Sequence, residues 1–218
     1  ISASAFYKKF TDPIELISVS NQEKTLSYRN TPSAQILGAE LEFRTLLGSL
    51  FQAPTTSILN KITVFGNYTY IQSKVNLNVT DTSNFYYKDG RVMQGQSPYV
   101  INAGVTYQDD EKNISSTLSV NRYGQRIFLA SNGDKLQSGV IIEPNLWENG
   151  RTQIDFQLTK SFPKDRMDLK LNIKDMLAQQ LVFFEDTNNN KKYDKNVDAL
   201  RSSQNFGRVI TLTLSYKF

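Results

Sequence analysis

The sequence contains no cysteine and no histidine. Disulfides are excluded, and with them the Ser-His-Asp and Cys-His nucleophilic schemes and the usual zinc ligand sets. Long apolar runs are missing as well. No stretch approaches the roughly 18 apolar residues of a membrane helix, and the mean hydropathy is −0.43. A helical membrane protein is therefore excluded, while a chain that crosses with strands is not. Charge of one sign does not dominate: 25 basic residues stand against 21 acidic ones, a net +4. The basic residues are dispersed, which argues against a nucleic-acid partner. Core-forming residues are also few. Apolar types with Tyr included reach 39% of 218 residues, below the roughly 45–50% of a typical globular chain. A barrel wall, alternating apolar with polar and burying no second layer, accounts for that deficit.

What the sequence has is alternation. In the closing stretch Gly207–Phe218, Ile210, Leu212, Leu214, Tyr216 and Phe218 share one face, and Thr211, Thr213, Ser215 and Lys217 the other. A period of two is a β-strand. An aromatic closing strand with an apolar face fits an outer-membrane barrel, whose lipid face ends in aromatic girdles. The beginning reads the same way. Ile1, Ala3, Ala5 and Tyr7 share a face, so no secretory leader is legible, and the expectation is that it was removed or that the natural N-terminus lies upstream.

Six further strands are expected between these ends. Leu37, Ala39, Leu41 and Phe43 mark the second, and Ile62, Val64, Gly66, Tyr68 and Tyr70 the third. Tyr99, Ile101, Ala103, Val105 and Tyr107 mark the fourth. Ile114, Leu118 and Val120 mark the fifth, which is expected to run on through Arg122 to about Leu129. Ile154, Phe156 and Leu158 mark the sixth, and Met167, Leu169, Leu171 and Ile173 the seventh. Asp12–Pro13 breaks the first strand, and the chain to about Arg29 reads as strand continuing and then loop. Lys174–Gln180 is locally helix-friendly but only two turns long, so no helix of length is expected.

Long polar loops at residues 76–98, 131–150 and 185–205 alternate with shorter connections at 48–60, 109–113 and 162–166. Outer-membrane barrels place long loops outside and short turns in the periplasm. The first, third, fifth and seventh strands then run outward, and the last ends in the periplasm. Tyr7 and Tyr70 fall at outward ends, and Phe43, Tyr107 and Phe218 at periplasmic ends, as two girdles. Lys160 interrupts the apolar face near a strand end, where it can snorkel. Glu40, Glu42, Arg44, Asp155, Lys170 and Lys174 fall on the polar face.

The motifs resemble those of TonB-dependent receptors. The resemblance rests on Phe6–Glu15, Gly38–Arg44, Gln94–Gly104, Asn121–Gly124 and the terminal Leu214–Phe218, which keep the order found at the C-terminal end of the receptor barrel. The branch with a carboxypeptidase-like N-terminal extension is the most similar. The resemblance implies an all-β, transmembrane, antiparallel up-and-down β-barrel, residues 1–218 supplying the last eight or so strands of a 22-stranded wall. It implies a plug and earlier strands outside this chain, and contact with the TonB energy-coupling complex through that N-terminal part. It also implies a barrel-assembly machinery that reads Tyr216 and Phe218, outer-membrane lipid around the wall, and a surface lipoprotein over the mouth in some members. The implied activity is uptake of a scarce or large substrate: an iron chelate, cobalamin, a glycan or a peptide. The rival reading is a complete eight-stranded barrel with a structural or adhesive role, since eight strands can close.

Three sets of candidate residues follow. Phe85, Tyr86, Tyr87, Trp147 and Tyr193, with Arg91, are loop residues suited to substrate, because aromatic faces bind rings and guanidinium binds carboxylate. Loop packing is the competing reading for each. Asp186, Asn188, Asn190 and Asp194 have the spacing of a calcium loop. Against calcium, Lys191 stands where such a loop needs glycine, Val197 where it needs a bidentate Glu, and Asn/Asp-rich loops are commonly plain turns. No cofactor other than that calcium is expected. Glu40 and Glu42 share a strand face about 7 Å apart, yet nothing else converges on them, so no enzyme is expected.

Overall fold

The structure is a computed structural model. It describes residues 1–20, 25–78, 89–131, 144–162, 164, 166–188 and 190–218. In chain order its strands are β1 (Ser2–Thr11), β2 (Ile14–Ser20), β3 (Thr25–Asn30), β4 (Ser33–Leu46), β5 (Ile62–Asn76), β6 (Tyr99–Asp109) and β7 (Ile114–Tyr123). There follow β8 (Arg126–Leu129), β9 (Leu146–Glu148), β10 (Arg151–Phe162), β11 (Met167–Lys174), β12 (Leu181–Glu185), β13 (Ala199–Gln204) and β14 (Val209–Tyr216). Among the described residues the helical content is a four-residue helix, Leu47–Leu50, and a four-residue 3-10 turn, Ile58–Lys61. Among the described residues no helix is long and apolar enough to cross a membrane.

Eight strands form one antiparallel sheet in the order β1-β4-β5-β6-β7-β10-β11-β14. Among the described residues β1 pairs only with β4, and β14 only with β11, so the sheet is an open wall and not a closed eight-stranded barrel. The register keeps each residue type on its own side. Val64, Val105, Leu118, Phe156, Ile173 and Ile210 lie opposite one another across six strands. One residue along, Thr63, Thr106, Thr117, Gln157, Asn172 and Thr211 form the matching row of the other face. A slip of one residue would exchange the two faces, so patterning fixes the pairing.

Among the described residues nothing packs over the apolar face. Leu37 and Leu41 are 55% and 56% exposed although β4 lies inside the sheet. In water, a patch of this extent would drive association. The polar face carries a ladder of amides instead: Asn121 Nδ2 donates to Asn102 Oδ1 at 2.6 Å, and Asn102 Nδ2 to Asn67 Oδ1 at 2.9 Å. Phenyl rings of Phe6 and Phe65 on this face cover Gly38 and Gly104, where a Cβ would sit 2.3 and 2.4 Å from ring carbon. An aromatic laid over a glycine on the neighbouring strand restores the packing the glycine lacks.

The wall has two different ends. At one, residues 47–61 join β4 to β5, residues 110–113 join β6 to β7, and residues 163–166 join β10 to β11. At the other the connections fold into a cap, a four-stranded sheet β13-β12-β9-β8 with the hairpin β2-β3 beside it. Several sequence expectations are corrected here. The fifth strand stops at Tyr123 and does not continue to Leu129, because Gly124 leaves the wall and β8 pairs with β9 in the cap. The loops expected at 131–150 and 185–205 contain β9 and β13, and the stretch before Arg29 is a hairpin. Over Lys174–Gln180, where no helix of length was expected, Asp175 and Ala178 take positive φ, at 53° and 48°.

Candidate functional site

The cap sits over the polar face. Along the cap end of β4, Ala34, Ile36 and Gly38 are buried while Gln35, Leu37 and Ala39 are exposed; along β5, Ser73, Val75 and Leu77 are buried while Gln72, Lys74 and Asn76 are exposed. Every buried position has the parity of the polar face. Ala34, Val75 and Leu77, with Phe10 and Met93 against them, form one small core between wall and cap. A second core lies within the cap, built from Ile17, Ile127, Ala130, Trp147 and Phe184, with Val92 and Tyr193 packed on it.

Polar contacts pin the cap's pieces together. Both terminal guanidinium nitrogens of Arg91 reach the Glu15 carboxylate, Nη1 donating to Oε1 at 3.0 Å and Nη2 to Oε2. These side chains are only 4% and 1% exposed. Gln94 stitches β2 to β8: Leu16 N–H donates to its Oε1 at 2.8 Å, and its Nε2 donates to Leu16 O at 2.9 Å and Phe128 O at 2.7 Å. Glu148 accepts from Arg126 Nε and Nη2, each at 3.0 Å, and from the Tyr123 hydroxyl at 2.9 Å. Arg151 pairs with Asp175, where the wall meets the cap.

The substrate-loop candidates separate. Tyr86 and Tyr87, with Phe85, lie outside the described residues. Arg91 is engaged with Glu15 inside the cap. Trp147 is 6% exposed and belongs to the cap core. Its accessible edge lines a groove of about 260 Å³ together with Val92, Pro98, Gln125 and Lys191. Tyr193 is half-buried, its ring 5.1 Å from that of Phe184. As placed, these three side chains hold the cap together.

The Asp186 loop closes on its own backbone. Asp186 Oδ1 accepts Asn190 N–H at 3.1 Å and Oδ2 accepts Lys191 N–H at 2.7 Å. Asn188 and Asn190 accept from Asn190 and Lys192 N–H, and Asp194 from Asn196 N–H. Asp198 Oδ1 and Oδ2 accept Thr187 and Asp194 N–H. Lys191 adopts φ 59°, the backbone shape a glycine would take there. The contacts of Asn188, Asn190 and Asp194 are Asx turns, those of Asp186 and Asp198 tie more distant backbone of the loop, and among the described residues no group of three or more acidic, His or Cys side chains converges on one point. The terminal aromatics Tyr216 and Phe218 are exposed and pack edge to face, centroids 5.2 Å apart.

Sequence reasoning missed the Glu15–Arg91 and Glu148–Arg126 pairs. Arg91 and Glu148 fell in stretches read as loop, Glu15 and Arg126 in stretches read as strand running on, and 76 residues separate Glu15 from Arg91.

A wall greasy on one face, wet on the other, edged by unpaired strands and capped at one end defines part of a transmembrane β-barrel. Residues 1–176 match the family described as TonB dependent receptor-like, beta-barrel, and the chain belongs to that family of outer-membrane proteins. Solved structures of similar fold include the ferric yersiniabactin uptake receptor FyuA from Yersinia pestis, at 17% identity and TM-score 0.54, with 97% of this chain covering 26% of that one. The siderophore receptor PiuA from Acinetobacter baumannii matches at 15% identity and TM-score 0.56, over 99% of this chain and 26% of its own. The ferric citrate transporter FecA matches at 17% identity and TM-score 0.57, over 97% and 27%. The chain thus spans about a quarter of these receptors' length. They are named as receptors and a transporter, not as enzymes. No curated protein matches the sequence significantly.

Proposed function

We propose that this chain is the C-terminal part of the wall and mouth of a TonB-dependent receptor that takes up a scarce or large solute. The observation that carries the reading is the cap: on a wall with an amide-lined inner face, its described residues are built against that inner face. Such a cap narrows the mouth of a pore and presents grooves to solute arriving from outside. The unpaired edges of β1 and β14 agree, because each unsatisfied backbone group in hydrocarbon costs several kcal/mol. Earlier strands of a roughly 22-stranded barrel and a plug complete the structure. The capped end is extracellular, and β14 ends in the periplasm. TonB acts through the plug, outside residues 1–218; the assembly machinery reads Tyr216 and Phe218; a surface lipoprotein over the cap is a further partner.

The substrate classes are an iron chelate, cobalamin, a glycan and a peptide. Iron chelates come first for testing, because the solved relatives are named for ferric chelates. A deletion strain grown with each nutrient limiting should lose uptake of one class and regain it with the intact gene. Unchanged growth on all four classes would defeat the reading. The mass of the native polypeptide separates the rival: a functional protein of about 24.8 kDa would be a small complete barrel. Removal of Phe218 should lower the amount of heat-modifiable folded barrel in the membrane, and unchanged levels would remove the assembly role.

A further inference from the structure

We propose that an open rung of the sheet at Ser73, between β5 and the strap of residues 90–98, binds one extended residue of a short peptide. The proposal rests on the reading above that the capped end meets solute from outside, and it adds a peptide site to that mouth. β5 runs on to Asn76, whereas its partner β6 begins only at Tyr99. Beyond that point the strap stands in for β6 at two places. Ile71 N–H donates to Pro98 O at 2.9 Å, and Val75 N–H donates to Arg91 O at 2.9 Å. Alternate residues of a strand send their backbone groups to the same side. Ser73, midway between Ile71 and Val75, therefore turns its N–H and C=O toward the strap as well.

At Ser73 the strap has left the ladder. Residues 92–97 cover the span of residues 72–74 and bow toward β8, where Gly95 N–H donates to Ile127 O at 2.8 Å and Gln94 Nε2 to Phe128 O at 2.7 Å. Met93 N–H reaches the Ser73 hydroxyl at 3.0 Å, not its carbonyl. Among the described residues, the Ser73 backbone N–H and C=O have no hydrogen-bond partner across this gap. Ser73 is nevertheless only 5% exposed. Buried backbone groups left unpaired are rare, because each costs free energy comparable to a lost hydrogen bond. The gap opens into the groove of about 260 Å³ that the Trp147 edge lines, with Ile71 and Ser73 on one side and Val92 and Pro98 on the other.

The rung sets the chemistry of its occupant. The N–H and C=O of one strand residue are met together by the C=O and N–H of one extended residue opposite, as when a peptide adds to a sheet edge. A carboxylate accepts but cannot donate, so it meets only half of the pair. Val92, Pro98 and the Trp147 edge offer apolar walls for a side chain, and the Gln96 and Gln125 amides flank them. Lys191 stands at the margin, and no carboxylate lines the groove among the described residues. A peptide's free carboxyl end is therefore admitted without repulsion.

The test titrates the intact receptor in non-ionic detergent with acetyl-Ala-Leu-Ala and reads residue-resolved hydrogen exchange. In the free receptor the Ser73 amide should exchange about tenfold faster, or more, than the flanking Ile71 and Val75 amides, and saturating peptide should slow it to their level. Methylating the backbone nitrogens of the peptide one at a time should weaken binding about tenfold at the one that faces Ser73 O. A Ser73 amide as protected as its neighbours in the free receptor would show a closed rung and overturn the proposal. Fast exchange that the peptide does not slow would show water alone in the rung and overturn it too, as would equal binding by every methylated form. The uptake phenotype of the deletion strain reports on the receptor separately. Uptake lost while Ser73 ignores the peptide sinks the rung site and leaves the receptor reading standing; a Ser73 amide slowed by peptide, with no uptake defect in the strain, does the reverse.

Discussion

Removing the Glu15 carboxylate tests whether the cap is a folded unit or a set of independent loops. Among the described residues, Glu15→Ala leaves the Arg91 guanidinium, 4% exposed, with the Val92 carbonyl at 3.1 Å as its remaining acceptor. Breaking a buried pair by deleting one partner costs about 3–5 kcal/mol, because an uncompensated charge stays behind. The pair ties β2 to the strap that follows Gly90, whose backbone holds β5 through Val75 N–H to Arg91 O at 2.9 Å. Hydrogen exchange on the intact receptor, read at amides of β2, β3 and β8, should show protection falling by about two to three orders of magnitude or to the open limit. Replacing both partners, Glu15→Leu with Arg91→Met, should recover most of it, since packed apolar residues substitute for a buried pair at little cost. Wild-type protection in Glu15→Ala would refute the reasoning, and so would a double variant as unprotected as the single one.

Phe184 is 0% exposed at the centre of the cap core, so Phe184→Ala should cost about 3–5 kcal/mol of cap stability, seen as new protease cleavage in the cap with the wall intact; unchanged cleavage would show that the core holds nothing. Gly104→Val places a Cβ 2.9 Å from the Leu118 carbonyl and against Phe65, and overpacking of about 1–3 kcal/mol should lower the barrel's melting temperature, whereas an unchanged melt would mean the ring moves freely aside. Asp109 lies beyond Tyr107 at the turn end, outside the apolar band, where hydrogen bonding to Lys61 at 3.0 Å is the largest cause holding its carboxyl at about 2, below the ordinary 3.8. A depressed carboxylate stabilises above its unfolded value, so the 109–113 turn should keep its protection above about pH 4 and lose it toward pH 2, and Asp109→Asn should flatten that dependence; an identical acid profile in the variant would contradict the assignment.

The wall was readable from sequence because two-residue periodicity reports directly which side each residue faces. Val64, Val105, Leu118, Phe156, Ile173 and Ile210 were marked apolar strand by strand, and the observed register brings them into one row. Gly124 shows where that logic stopped: the alternation through Arg126–Leu129 is real, but those residues alternate in a different sheet, and periodicity carries no information about which sheet a strand joins. The cap was illegible for a related reason. Its order comes from pairs distant in sequence, such as Glu15 with Arg91 and Ile17 with Trp147, and its strands β9, β12 and β13 are three to six residues long. Segments so short leave no period to count. Large aromatic and guanidinium groups serve binding and packing equally, so the sequence could not show that Trp147 also packs in the cap core or that Arg91 pairs with Glu15.

The receptor's design turns on which medium each face of the wall meets. Nitroxide labels at Leu171 and Leu212, compared with labels at the adjacent Asn172 and Thr211, decide it in the reconstituted receptor. The first pair should be relaxed by oxygen dissolved in the bilayer, and the second by a water-soluble paramagnetic reagent in the pore. Labels at Leu171 and Leu212 relaxed mainly by the aqueous reagent would contradict the account.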